Sequence, residues 1–393
     1  MKEKIDSYSD IKPLKLNIYG AQIKNKQTNI KITNSIRTII SKVKNYSFKF
    51  IIILSLFILI LFATIKYIIK YLKINKELFK AHNIYEEQNK FFFFEKNQED
   101  LNNCTNFGLM IYKYDNKSNV KTPNVGDYIQ SLAALQYLPK NCKPYLIDRD
   151  QVQYYKGPKV KLIMNGWHFI GDGNLYINNQ ISPIFLSYHI CNFQKLPDIY
   201  LKNLANFSQI GCRDINTRDV LNKKGVQAYF SSCLTTTLDI DYSAKDKERT
   251  NDIIFTDFRF GYYSQADDFI HSLKAYNFSN IINMTHNFDN NLTQLERFKL
   301  AKKTLDKYAR AKLVITTRLH AALPCLALNT SVILINKMFD IRYSGIYKFL
   351  NTIGRNEQKK FEIKVNVDNN GFVYNSQEYL NYSMKLKEVL KNI

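Results

Sequence analysis

Grouped metal ligands are missing from this chain. Its six cysteines, Cys104, Cys142, Cys191, Cys212, Cys233 and Cys325, are scattered, and none forms a CxxC pair. That spacing excludes a zinc ribbon and a thioredoxin-like redox motif. Carboxylates do not gather at ligand spacing either, so the sequence predicts no metal site and no resident cofactor. Glycine and proline are scarce, at 13 and 8 residues, which excludes a collagen-like or low-complexity chain. Residues 101–393 hold no internal repeat. The sequence has no zinc-finger spacing, no aromatic RNA-binding segment and no dense arginine run, so nucleic acid is not an expected partner. Negative charge is also short: 34 Asp and Glu stand against 56 Lys and Arg, a net charge of +22. Residues 1–100 carry 18 of those bases and 9 of the acids, which leaves +13 on the remainder. This balance favours anionic partners such as phosphorylated or nucleotide-sugar substrates and acidic lipid. A solvated lysine-rich surface accounts for it equally.

What is present includes an uncharged run of sixteen residues, Phe50 to Ile65. If Lys66 snorkels, the run extends through Ile69 to twenty residues, enough to cross a bilayer. It begins too far into the chain for a cleaved signal peptide, and no small-residue cleavage site follows. The sequence therefore predicts a basic tail over 1–49, a single transmembrane helix over 50–69 and a stem over 70–100. Lysines flank the run on both sides in nearly equal number, so charge does not set its orientation. Within the stem, Phe91 to Phe94 is too apolar to stay in water and would pack on the following domain or rest at the interface.

At 45% apolar and 14% aromatic the chain is globular in composition, and 393 residues suffice for two domains and a tail. Four apolar residues followed by a helical pattern recur along it. Strands are expected at 107–114, 160–164, 182–190, 208–212 and 227–230, with helices at 128–138, where Asp127 would be the N-cap, and at 217–224. After a charged break at 244–251 the alternation restarts: strands at 252–258, 280–286, 314–317 and 331–335, and helices at 266–276, 292–311, 318–328 and 377–390. Strands alternating with helices imply parallel sheets covered on both faces. The fold expected is α/β, with two Rossmann-like domains, 101–246 and 247–393, facing a cleft. The last helix would return to the first domain. Cys191, Cys212, Cys233 and Cys325 lie in apolar stretches and read as core thiols; a Cys212–Cys233 pair would need an oxidising compartment.

Four short motifs carry chemistry. Asn124-Val-Gly-Asp127 opens a helix. Asn165-Gly-Trp167, with the only tryptophan, follows a strand. Gly211-Cys-Arg-Asp214 ends another strand, with Thr217 beyond it. Thr317-Arg-Leu-His320-Ala-Ala joins an apolar run to a small-residue helix. The open end of a parallel strand feeding a helix N-terminus favours anions, because the first amides are unpaired and the dipole is positive there. Arg318 adds a forked cation and His320 a titratable ring.

In that order and spacing the motifs resemble the polysaccharide pyruvyl transferase family, over about residues 105–340. The resemblance implies a GT-B-like fold and transfer of a pyruvyl group from phosphoenolpyruvate to a sugar as a cyclic ketal. His320 is then a candidate general acid or a helix-cap histidine, and Arg318 and Arg213 are candidate clamps on the donor's carboxylate and phosphate, or else a solvent-facing side chain and a partner of Asp214. Asp127 would accept a proton from the acceptor, or simply cap its helix. Asn124 and Gly126 would shape the loop, Trp167 would stack on a sugar or fill a core, and Ser232, with Ser231 and Thr235, would bind phosphate. Three features depart from the family pattern: Pro324 inside the 318–328 helix, expected to kink it, Asn329-Thr-Ser331 where Gly and Pro usually stand, and a membrane anchor outside the family's catalytic domain.

Two other functions compete. One is a glycosyltransferase of the same architecture using a sugar nucleotide; no acidic residue for a ribose is evident. The other is a catalytically silent glycan-binding protein. An anchored enzyme would face the cytoplasm in a bacterium, or the Golgi lumen in a eukaryote. The acceptor sugar and oligomeric state are not legible.

Overall fold

The computed structural model describes residues 58, 60–66, 106–114, 123–139, 142–169, 176–191, 196–239 and 249–391. Two compact units result, Met1–Asn75 and Lys76–Ile393. In the first, residues 60–66 are helical and expose Ile60, Leu61, Phe62 and Ile65. The remainder of the expected membrane span over 50–69, the tail 1–49 and the stem 70–100 lie outside the described residues. Among the described residues no helix is long and apolar enough to cross a membrane.

The second unit is mixed α/β with parallel sheets. Its first sheet has the order β2-β1-β3-β5. These strands are β1 (Phe107–Ile111), β2 (Tyr145–Asp148), β3 (Val160–Ile163) and β5 (Ile181–Ile184), all paired in parallel. Helix α1 (Val125–Leu135) follows β1. The second sheet, β4-β6-β7-β8, is also parallel, built from β4 (Gly166–Phe169), β6 (Tyr188–Cys191), β7 (Ile210–Cys212) and β8 (Ala228–Phe230). Helices α2 (Asp198–Ala205) and α3 (Ile215–Lys223) flank β7 in the chain.

The third sheet, β10-β9-β11-β12-β13-β14, uses β9 (Ile253–Thr256), β10 (Ile281–Met284), β11 (Leu313–Thr316), β12 (Val332–Asn336), β13 (Asn351–Arg355) and β14 (Phe361–Lys364). Only β14 is antiparallel, at the edge. Every residue of the central strands β9, β11 and β12 is buried, as strands covered on both faces require. Helices α4 (Ser264–Ser272), α5 (Gln294–Arg310), α6 (Leu319–Ala327) and α7 (Leu380–Leu390) complete the unit. Thr293 and Glu296 form a reciprocal capping box that starts α5.

Several expectations need correction. Helix α1 begins three residues before the expected start, because Asn124 is its N-cap and accepts from the Gly126 amide at 2.9 Å. Asp127 therefore sits in the first turn and does not cap. The stretch 182–190 is two strands in two different sheets, broken at Ser187, which has φ +59°. At the end of the charged stretch, Arg249 donates to the carbonyls of Ala311, Leu328 and Asn329 and ties the ends of α5 and α6 together. The core-thiol reading holds for Cys212, Cys233 and Cys325, which are free and buried, while the free Cys191 is half-buried.

The last helix lies against residues of the second sheet's trailing segment: Ser383 Oγ donates to the Thr236 carbonyl at 3.1 Å, and the Tyr382 and Phe230 rings meet at 5.1 Å. Helices α1 and α5 pack through Tyr128 and Phe298, ring centroids 5.2 Å apart. Arg297 of α5 reaches the Tyr112 carbonyl beyond β1 at 2.8 Å. An antiparallel bridge between Asn124 and Asn287, with Val125 N donating to the His286 carbonyl at 2.8 Å, joins the two chain halves beside the cavity described next.

Candidate active site

Parallel sheets bring the carboxyl ends of their strands, and the loops beyond them, to one side. Here Arg149 follows β2, Arg213 follows β7, His286 lies beyond β10, and Arg318 lies between β11 and α6. With Trp167 of β4, Asn124 and Asp127 of the α1 start, Asn287, Thr317, His320, Arg342 and Tyr343, they line a cavity of about 430 Å³. Six of the eight residues expected from sequence are thus gathered on one wall system: Asn124, Asp127, Trp167, Arg213, Arg318 and His320.

The other two do not line it. Ser232 is fully buried, with φ +67°, and its hydroxyl makes no hydrogen bond among the described residues. Gly126 stands directly behind the cavity instead. A Cβ there would lie 2.9 Å from His320 Cβ, 3.1 Å from Asn124 Oδ1 and 3.4 Å from His286 Nδ1. The missing side chain is what lets two imidazoles press against the first turn of α1.

Four arginines line the cavity, and three already have carboxylate partners. Arg149 is bidentate to Asp150 at 2.9 and 3.0 Å, Arg318 Nε donates to Asp257 at 2.7 Å, and Arg342 pairs with Asp340. Arg213 has none: it is 2% exposed, and its Nε has no hydrogen-bond partner among the described residues. Burial pulls its pKa down, against the pull of Asp214. The neighbouring carboxylate is committed elsewhere. Asp214 caps α3 through the Thr217 amide at 2.8 Å and bonds His189 Nδ1 at 2.6 Å. A buried, unpaired cation is costly unless an anion arrives to meet it.

Asp257 organises the opposite wall. It holds a left-handed backbone, φ +51°. Its carboxylate accepts from Arg318, from Thr285 Oγ1 at 2.6 Å and from the His286 amide at 3.0 Å, while its carbonyl accepts from Thr317 Oγ1 at 3.1 Å. One side chain thereby aligns the loops that leave β9, β10 and β11. These hydrogen bonds and Arg318 depress its pKa in spite of burial.

Burial disfavours the charged forms of the titrating groups. Burial raises the Asp127 pKa, against Arg149 and the Tyr114 hydroxyl, which donates at 2.6 Å. Burial, and then Arg213, lower the His320 pKa well below that of an ordinary histidine. His320 Nε2 is out of solvent and unpartnered. His286 is fully buried and lowered to about 3, by burial first and Arg318 second.

Trp167 is half-buried and lines the cavity. Arg149 lies 5.0 Å from its ring and 4.9 Å from that of Tyr112, a cation stacked behind one face. No group of three or more metal-ligating side chains occurs among the described residues.

Arg149, Arg342, His286, Asn287 and Asp257 were not legible as site residues. A single arginine carries little signal in a chain this basic, and His286 closes a strand pattern without a motif.

Fold and site together define an α/β protein with a cavity lined by four arginines. Residues 124–336 match the profile of the polysaccharide pyruvyl transferases over more than half of the chain, and the protein belongs to that family. It is a transferase. No curated protein matches the chain. Among solved structures, a functionally uncharacterized protein of Klebsiella pneumoniae is 16% identical, over 61% of this chain and 88% of its own, with a TM-score of 0.37. That likeness is too slight to carry an argument.

Proposed function

We propose that this protein is a membrane-anchored enzyme that moves the pyruvyl group of phosphoenolpyruvate onto two hydroxyls of a glycan or lipid-linked sugar. In this reading the α/β halves on either side of 244–251 are the lobes of a GT-B-like cleft, and residues 50–69 are the anchor. The observation that carries the donor assignment is Arg213, a buried guanidinium whose Nε has no partner among the described residues, on the same cavity as Arg318 and His320. Phosphoenolpyruvate presents a carboxylate and a phosphate on one small enol, and planar forks bind both groups well. Arg213 and Arg318 hold the donor, and His320, charged once the anion is bound, delivers a proton to its methylene carbon. Asp127 and Trp167 contact the acceptor.

The test is the melting temperature of the intact chain with and without millimolar phosphoenolpyruvate, since a ligand of the folded state raises the midpoint by mass action. A rise in the wild type that is absent in Arg318→Ala supports the assignment. A rise with a sugar nucleotide and none with phosphoenolpyruvate contradicts it and favours glycosyl transfer.

A further inference from the structure

We propose that His286 is a second catalytic residue of this transfer, the base that takes the proton of the attacking sugar hydroxyl; the inference rests on the pyruvyl-transfer reading. The ring lines the cavity yet is wholly buried, and its Nδ1 has no partner among the described residues. Its other nitrogen is held from behind: Nε2 lies 2.8 Å from the Tyr308 hydroxyl, which lies 3.0 Å from Thr256 Oγ1. A histidine that lines a substrate cavity, is oriented by a hydroxyl on one nitrogen and is bare on the other, beside Gly126 and His320, is the arrangement a general base requires.

His320 is its neighbour across Gly126. Asp127 is less suited to the task, because its two oxygens already accept from Tyr114 at 2.6 Å and Gln130 at 3.2 Å.

The reaction needs two proton carriers, and two imidazoles close the cycle. In the first step His320, protonated when the donor is bound, gives its proton to C3 of phosphoenolpyruvate. The C2–C3 π pair forms that C–H bond, a sugar oxygen bonds to C2, and its proton passes to His286 Nδ1. In the second step the C2–O bond to phosphate breaks, its electron pair leaves with the phosphate, and His286 returns its proton to that oxygen. The second hydroxyl then attacks C2 and gives its proton to His320. The products are a ketal and inorganic phosphate, and both rings regain their starting states.

The groups facing His286 are Tyr308 from α5, Asp257 beyond β9, Arg318 before α6 and His320 in α6. The experiment measures phosphate release from phosphoenolpyruvate by the intact chain with methyl β-galactopyranoside and methyl β-glucopyranoside, across pH, beside donor affinity by calorimetry. For His286→Gln we expect donor affinity within about twofold of wild type, turnover down by on the order of 100-fold, and loss of the acidic limb of the pH profile. Tyr308→Phe, which keeps the ring, should shift that limb. Turnover within about threefold of wild type and an unchanged profile in His286→Gln overturn the inference, as does an unshifted limb in Tyr308→Phe should the first variant not fold. A wild-type chain that binds no phosphoenolpyruvate, or transfers to neither sugar, sinks the pyruvyl reading itself, and the inference with it.

Discussion

Pro324 and His320 stand four residues apart in α6, and the helix departs from helical geometry at His320 (φ −86°, ψ 17°), not at the proline. A proline ring clashes with the carbonyl four residues earlier and cannot donate to it. The departure expected at Pro324 is thus delivered one turn upstream, at the residue whose ring enters the cavity. Pro324 itself is buried and is not among the residues that line the cavity.

Replacing Pro324 with Ala should let α6 run continuous and withdraw His320. The variant should melt at or above the wild-type temperature while losing turnover by on the order of 100-fold, the scale at which misplacing a reactive group by about 1 Å is felt. Thermal melts beside phosphate-release rates check this. Unchanged turnover would separate the proline from the site.

Gly126→Ala makes the converse point. Alanine favours a helix over glycine by about 1 kcal/mol, yet its Cβ would stand 2.9 Å from His320 Cβ. The expected result is a folded protein with impaired transfer. Crystal structures of the variant should show the His320 or His286 ring displaced.

Asp257→Asn keeps a residue that tolerates the left-handed backbone but removes the charge that holds Arg318. Donor affinity should fall about tenfold and stability by about 1–3 kcal/mol, read by calorimetry and denaturant titration. Because the folded-state pKa of Asp257 is depressed, its stabilisation is present above the ordinary carboxylate range and is lost as pH falls through the folded value. Asn should flatten that acid-side loss.

Histidine protonation predicts a second pH effect. Between the ordinary value of 6.5 and about 3, His286 binds a proton in the unfolded chain only, so stability falls as pH drops through that window. His320 acts in the same direction. Donor binding reverses the balance around His320, because an anion now faces the ring, so phosphoenolpyruvate should bind with proton uptake and more weakly as pH rises. Calorimetry in buffers of differing ionisation enthalpy measures that uptake. His320→Gln should abolish it.

Much of this architecture was legible locally. Leu313–Thr316 and Val332–Asn336 are uninterrupted apolar runs because they are central strands, and the threonine–glutamate box marks the start of α5. The break at Ser187 was not, because Phe185 and Leu186 continue the apolar pattern while the chain changes sheets. The site was half legible for a related reason. Arg213, Arg318 and His320 sit in local motifs, whereas Asp257, His286 and Arg342 acquire meaning only when strands distant in sequence end side by side.

The most direct measurement is titration of the intact chain with phosphoenolpyruvate, wild type against Arg213→Gln, by calorimetry with parallel melts. An unpaired buried charge destabilises the empty protein, so the account predicts that Arg213→Gln melts higher than wild type without ligand and shows no donor binding. Wild-type affinity retained in that variant, or a wild-type chain indifferent to phosphoenolpyruvate, would contradict the claim that this cavity is a donor site.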